Sequence, residues 1–254
     1  MRLYLLTICC VIFSFANAAD PTYYELRVYN FKDTAQEAVI DRYLAKAFMP
    51  ALHRSGIKKI GVFKALANDT AAEKRIYILI PLVSPGQLAI LSKRLMNDAV
   101  YQRAAKEFID AGYNNPPYSR LESILMRAFS MAPALQLPAL KGPYKDRLYE
   151  LRSYESSTEK LAVNKVHMFN EGGEIDLFRR LGFNAIFYAS VITGSKMPNL
   201  MYMTSFENKA DRDAHWKNFG SHPDWKALSA KSEYQHNVSH IDVIFLRPAD
   251  YSDY

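Results

Sequence analysis

Cysteine is nearly absent from this sequence of 254 residues. Its only two cysteines, Cys9 and Cys10, lie in an apolar N-terminal segment that follows Arg2. The segment ends in the small-residue triplet Ala16-Asn17-Ala18, a pattern typical of a cleavable signal peptide. We therefore predict that residues 1–19 are removed on export. The mature protein would lack thiols, which excludes disulfide scaffolds, thiolate catalysis and cysteine-ligated metals.

Long apolar runs and blocks of like charge are also missing after that segment. No later stretch approaches the roughly 18 apolar residues of a membrane span, so we expect a periplasmic or secreted protein without one. The 32 basic and 26 acidic residues give a formal charge of +6, but no basic block occurs. The charge distribution therefore does not indicate a nucleic-acid partner.

Two similar units make up the rest of the sequence. The motif Tyr-Glu-Leu-Arg-x-Tyr at residues 24–29 recurs at residues 149–154. Further matches at nearly the same offset pair Gly56 with Gly182, 75–80 with 200–205, and 121–127 with 241–247. We predict a first repeat at residues 20–130, a proline-containing linker at 131–145 and a second repeat at residues 146–254.

Each repeat has the predicted element order β-α-β-β-α-β. In the first repeat an alternating strand opens the unit, and a helix with an apolar stripe follows after Asp33. This order is that of a ferredoxin-like domain, whose antiparallel sheet carries helices on one face. The predicted fold class is therefore α+β, with tandem ferredoxin-like repeats whose sheets pack face to face as an α/β barrel within one chain.

The opening strand motif and a tryptophan-containing segment carry a family resemblance. The second repeat has His215-Trp216-Lys217-Asn218-Phe219 followed by His222-Pro223-Asp224-Trp225. Together with Glu-Leu-Arg-x-Tyr, these residues resemble the NIPSNAP family. In the first repeat Tyr101 stands where Trp225 stands. The resemblance implies kinship with dimeric α/β-barrel proteins, which include cofactor-free monooxygenases, isomerases and haem-binding proteins, but it implies no particular activity.

Alternation along the opening strands predicts a polar face. If Leu26 and Val28 pack under the helices, their polar neighbours project to the opposite face, which is the barrel lumen. The closing strands add acidic residues at matching positions, and His240 shares a strand face with Asp242. The candidate luminal residues are Glu25, Arg27, Tyr29, Glu122, Glu150, Arg152, Tyr154, His240 and Asp242.

Two roles are open for these luminal residues. Arginine–carboxylate pairs can simply stabilise the contact between the sheets, or the arginines can bind an acidic ligand while a carboxylate transfers a proton. The ligand interpretation predicts that Arg152→Met abolishes binding of an anion and leaves the fold intact. A cavity of about 300 Å³ or more between the sheets would favour it, and a filled lumen would favour a protein-recruitment module.

A second candidate set consists of Trp216, Phe219, His222 and Trp225, which either border a pocket or pack helix against sheet. No histidine spacing indicates a metal site and no glycine-rich phosphate loop occurs, so we expect neither metal nor cofactor. The leading hypothesis is an exported NIPSNAP-like protein that binds a small apolar or aromatic, acid-bearing molecule between its sheets. The alternatives are a cofactor-independent monooxygenase or isomerase and a recruitment module. We expect a monomer or a low-order homo-oligomer.

Overall fold

A computed structural model describes residues 22–254, in which eight strands close one antiparallel barrel. The strands are β1 Tyr23–Phe31, β2 Gly61–Ala65, β3 Lys74–Leu82, β4 Arg120–Ala128, β5 Leu148–Glu155, β6 Asn184–Thr193, β7 Asn199–Phe206 and β8 His240–Pro248. Around the barrel they follow the order β1-β3-β2-β8-β5-β7-β6-β4. The sheets of the two repeats join where β2 pairs with β8 and β4 pairs with β6. The predicted signal peptide lies outside the described residues.

The helices pack on the outside of the barrel. They are α1 Thr34–Tyr43, α2 Met49–Arg54, α3 Gly86–Asn97, α4 Ala99–Ala104, α5 Lys106–Ile109, α6 Glu159–Asn170, α7 Glu174–Arg180, α8 Lys209–Ser221 and α9 Pro223–Ser229. A π-helical turn joins α1 to α2 without a break. Asp98 leaves the helical conformation and caps α4, so the second helical segment of the first repeat is broken.

The predicted fold class is confirmed, because each half has the order β-α-β-β-α-β and the two halves close a barrel within one chain. The matched glycines also have a shared structural reason. Gly56 and Gly182 each follow a helix end with a positive φ, 84° and 76°, a conformation that favours glycine. The predicted limits of the two repeats and of the linker stay a prediction.

Apolar side chains from all eight strands fill the barrel interior. Tyr24, Leu26 and Val28 of β1 lie in one buried cluster with Tyr149 and Leu151 of β5. Two further apolar clusters lie between the helices and the outer face of the sheet, one in each repeat. Both faces of the sheet are therefore buried, and its polar residues lie beneath helices or at a barrel end.

Among residues 22–254, no helix combines the length and the apolar character that a membrane crossing requires.

Candidate functional site

The structure places the polar face of β1 beneath the helices and not in the barrel lumen. Leu26 and Val28 point into the barrel, whereas Arg27 lies over the ring of Phe48 and Tyr29 joins the outer apolar cluster. The predicted luminal position is therefore wrong for six residues: Glu25, Arg27, Tyr29, Glu150, Arg152 and Tyr154. The reason is that a closed barrel interior excludes water and holds apolar side chains, while the helix layer supplies polar partners.

Three other candidates do face the barrel interior, at one end of it. Glu122 lies opposite Val28 in the β1–β4 pair, so the two side chains share the inner face. Glu122 and Asp242 line a recess of about 220 Å³, and His240 contacts Asp242. This recess is smaller than the roughly 300 Å³ expected of a ligand cavity, so the structure does not support ligand binding between the sheets.

The second repeat uses its polar face for a closed network of ion pairs. Glu150 is fully buried and accepts hydrogen bonds from Arg152 Nε at 2.6 Å, Arg212 Nε at 2.6 Å and Trp216 Nε1 at 2.9 Å. The Arg152 guanidinium lies 3.8 Å from the centre of the Trp216 ring and donates to the hydroxyl of Tyr154. We call Glu150, Arg152, Arg212 and Trp216 the second-repeat network.

This network keeps Glu150 ionised. Burial acts to raise the pKa of its carboxyl group, because a charge in a low-dielectric environment loses hydration. The hydrogen bonds and positive charges of Arg212 and Arg152 outweigh burial, so the pKa of Glu150 lies below its ordinary value. The ordered donors therefore bind a carboxylate of the protein itself.

The first repeat carries the same strand motif without the closing partners. Glu25 is buried and accepts hydrogen bonds from Arg27 Nε at 2.6 Å and Ser123 Oγ at 2.7 Å, both through Oε1. Its other oxygen, Oε2, has no partner among the described residues. Within residues 22–254 the two terminal nitrogens of Arg27 also make no hydrogen bond, although the side chain is only 14% exposed. The guanidinium therefore keeps free donors.

A cavity of about 560 Å³ opens beside Arg27. We call it the first-repeat cavity; its wall is formed by Arg27, Tyr29, Tyr43, Tyr101, Phe108, Tyr118 and neighbouring residues between 109 and 121. The rings of Tyr43 and Phe108 stack with centres 3.7 Å apart, and the hydroxyls of Tyr43 and Tyr101 lie 2.9 Å apart. Burial raises the pKa of Tyr29 to about 12, so its hydroxyl stays protonated at neutral pH.

The tryptophan-containing segment serves mainly to pack α8 and α9 against α7. Phe219 stacks on Phe178 with ring centres 4.7 Å apart, and the Trp225 ring lies 4.5 Å from Phe219. His222 caps α9 by accepting a hydrogen bond from the backbone of Asp224. Trp216 differs from its neighbours because it also donates to Glu150.

Several residues of these two sites are not identified by the sequence patterns. Ser123 could have been found, because the pairing of β1 with β4 sets it opposite Arg27. Arg212, Tyr43 and Tyr101 come from helices, and sequence spacing does not fix how a helix is rotated over a sheet. To identify these helix residues from the sequence, one would need to know how each helix is rotated over the sheet.

The family comparison applies directly to the half that contains the second-repeat network. The NIPSNAP family model matches residues 149–253, from the opening motif through β8. Residues 149–253 therefore form a NIPSNAP domain. A search of curated proteins finds no significant match.

Solved structures resemble this chain at low sequence identity. A protein provisionally described as a monooxygenase from Lactobacillus acidophilus NCFM has TM-score 0.58 and 12% identity over 90% of this chain and 94% of that one. A similarly described protein from Fusobacterium nucleatum has TM-score 0.59 and 8% identity over 91% and 93%. A NIPSNAP family protein from Agrobacterium tumefaciens matches 42% of this chain and 96% of its own, with 20% identity and TM-score 0.36. The first two likenesses span both repeats and show a shared fold only.

Proposed function

We propose that this NIPSNAP-like protein binds a small molecule with an aromatic or apolar body and an acidic group in the first-repeat cavity. One observation carries the proposal: the nearly buried guanidinium of Arg27 borders the cavity with both terminal nitrogens unpartnered. Those two nitrogens can bind both oxygens of a carboxylate, which is the strongest common form of anion recognition by arginine.

The walls of the cavity suit the rest of such a ligand. Its volume of about 560 Å³ lies in the range of about 300–1,000 Å³ typical of small-molecule sites. The exposed side chains of Ile109, Tyr113 and Leu121 offer apolar and aromatic surface for the body of such a ligand.

The contrast between the repeats supports this position over its counterpart. In the second repeat, Arg212 and Trp216 reach the same strand motif from α8 and complete the hydrogen bonding of Glu150. Arg152 is bonded to Glu150 and Tyr154 and is covered by the Trp216 ring. From the sequence, Arg152→Met was expected to abolish anion binding. We now expect that effect from replacement of Arg27. The monooxygenase or isomerase alternative is carried by fold similarity alone, which does not transfer an activity.

A matched pair of variants tests the proposal with 2-naphthoate as the probe and its neutral analogue 2-naphthamide as the control ligand. Glu25→Gln removes the carboxylate that competes for Arg27, so we expect it to bind 2-naphthoate at least as tightly as the wild type. The double variant Glu25→Gln/Arg27→Met removes the guanidinium without leaving a buried unpaired charge. We expect calorimetry to show that the double variant binds 2-naphthoate about 10- to 100-fold more weakly than Glu25→Gln does. This is the effect expected from the loss of one charged, hydrogen-bonded contact.

The control ligand and a control variant separate this effect from a general loss of structure. Binding of 2-naphthamide should be the same in both variants, because it carries no charge. Arg152→Met should lower stability and leave 2-naphthoate binding unchanged, since Arg152 Nε and Nη1 already bind protein groups and the Trp216 ring covers the guanidinium. Equal 2-naphthoate affinity with and without Arg27 would refute the proposal.

We also propose that the protein is exported and that residues 1–19 are a signal peptide. Support comes from Arg2, the apolar run and the small residues before position 19. Mass spectrometry of protein recovered from the periplasm or the medium should give a chain that starts at Ala19 or Asp20. Recovery of an intact N-terminus only from the cell interior would contradict this.

A further inference from the structure

The open end of the barrel carries a cluster of three metal-ligating side chains away from the first-repeat cavity. We propose that Glu155, His240 and Asp242 form a binding site for a divalent transition metal ion, with Lys196 as a built-in competing cation. One ligand atom from each of the three side chains lies within 4.8 Å of the other two. We call these three residues the mouth triad.

Strand pairing alone brings the mouth triad together. Glu155 and His240 are directly opposite each other in the β5–β8 pair. Asp242 follows His240 by two residues, so both side chains are on the same face of β8. Because all three residues belong to paired strands, the ligand atoms are held by the barrel and not by a loop.

The donor set fits a first-row divalent metal. An imidazole nitrogen and two carboxylate oxygens suit zinc, manganese or cobalt, with metal–ligand distances of about 2.0–2.2 Å. His240 Nε2 lies 3.1 Å from Asp242 Oδ1, so these two ligand atoms already face the same space. Three protein ligands leave coordination positions for water or a small molecule.

A buried amide beside the mouth triad points to a missing partner. Asn199 lies opposite Glu155 in the β5–β7 pair and lines the recess that Asp242 also lines. Its side chain is only 7% exposed, and its Oδ1 has no hydrogen-bond partner among the described residues. A buried acceptor without a donor is costly, and a cation or its bound water would satisfy it.

Lys196 shows that the triad stabilises positive charge. Its ammonium pairs with Asp242 and lies 3.6 Å from Glu155 Oε1. The Lys196 side chain is 53% exposed, so it can turn into solvent when a metal ion takes its place.

Cobalt and zinc titrations test this proposal, with the tag-free full chain carrying Cys9→Ser and Cys10→Ser as the wild-type reference, because the two thiols would otherwise compete for the metal. Co²⁺ binding is followed by visible absorption, which reports coordination by nitrogen and oxygen ligands, and Zn²⁺ binding is followed by calorimetry. Lys196→Met keeps the side-chain length and removes the competing charge, so we expect about tenfold tighter binding than in the wild type. His240→Ala should bind about tenfold more weakly or worse, because it loses the nitrogen ligand.

A matched control keeps the test specific. His236→Asn removes another exposed histidine outside the triad, at a backbone position with positive φ that asparagine tolerates, and should bind like the wild type. Thermal unfolding of each variant checks that the fold is kept. The proposal is overturned if His240→Ala retains the wild-type affinity, or if Lys196→Met binds no more tightly than the wild type.

Discussion

The same substitution made in both repeats should have very different costs, because Glu25 and Glu150 occupy matching positions with unequal partners. Glu150→Gln removes the fully buried carboxylate that pairs with both Arg152 and Arg212. Glu25→Gln removes a carboxylate that faces one arginine. The two variants differ by the partners that α8 supplies to the second repeat.

The structure gives the approximate size of the difference. Glu150 accepts four hydrogen bonds, from Arg152 Nε, Arg212 Nε, Arg212 Nη2 and Trp216 Nε1. An amide can keep about two of them, and its NH₂ group would face donors. With about 1.5–3 kcal/mol for each of the two charged hydrogen bonds that are lost, we expect a decrease of about 3–6 kcal/mol in the free energy of unfolding. Glu25 accepts both bonds through Oε1, so an amide can place its NH₂ group at Oε2 and the loss should be about 1 kcal/mol.

Urea unfolding measures both losses on one scale. The midpoint should shift to lower urea by a larger amount in Glu150→Gln than in Glu25→Gln. The slope of the free energy of unfolding against urea concentration should stay the same, which would show that the same amount of surface is exposed on unfolding. Equal shifts, or a larger shift in Glu25→Gln, would refute the assignment of a closed network to the second repeat alone.

Three further predictions follow from the same contacts. Because the pKa of Glu150 is lowered in the folded state, its ion pairs stabilise the protein above about pH 4.5 and are lost as the pH falls further through the folded pKa. Between pH 6 and pH 3 the urea midpoint should therefore fall less steeply in Glu150→Gln than in the wild type, and parallel curves for the two proteins would contradict this. Trp216→Phe keeps a ring but removes the donor to Glu150, so equilibrium unfolding should show a loss of about 1–2 kcal/mol, and an unchanged stability would count against that bond. Phe63→Ala empties part of the barrel interior and should lower the free energy of unfolding by about 3–5 kcal/mol; a loss below about 1 kcal/mol would mean that the interior is not close-packed there.

The architecture could be predicted because local sequence patterns determine it. The recurring Tyr-Glu-Leu-Arg motif opens β1 and β5, and the matched Gly56 and Gly182 end helices at equivalent places. Alternation within β1 was also correct, since Leu26 and Val28 share one face and Glu25 and Arg27 the other. These features depend on neighbours in the chain, which a sequence shows directly.

Which face of the sheet is turned inward could not be read from the same alternation. A sheet with one face in water reveals its orientation, because polar residues face the water. Here both faces are buried, so a polar residue can lie inside the barrel or beneath helices. The outcome was set by Ser123 and Arg212, partners that the sequence patterns did not identify. The two repeats also differ in their helices. In the second repeat α8 supplies Arg212 and Trp216 to Glu150, whereas α3 supplies no hydrogen-bond partner to Glu25 among residues 22–254, and the first-repeat cavity depends on this difference.

A crystal structure of the protein with 2-naphthoate tests the central claim most directly. We expect the carboxylate to lie within hydrogen-bond distance of both terminal nitrogens of Arg27, with the rings in the first-repeat cavity. A carboxylate bound at the barrel recess, at the second-repeat network or anywhere else away from Arg27 would contradict the account.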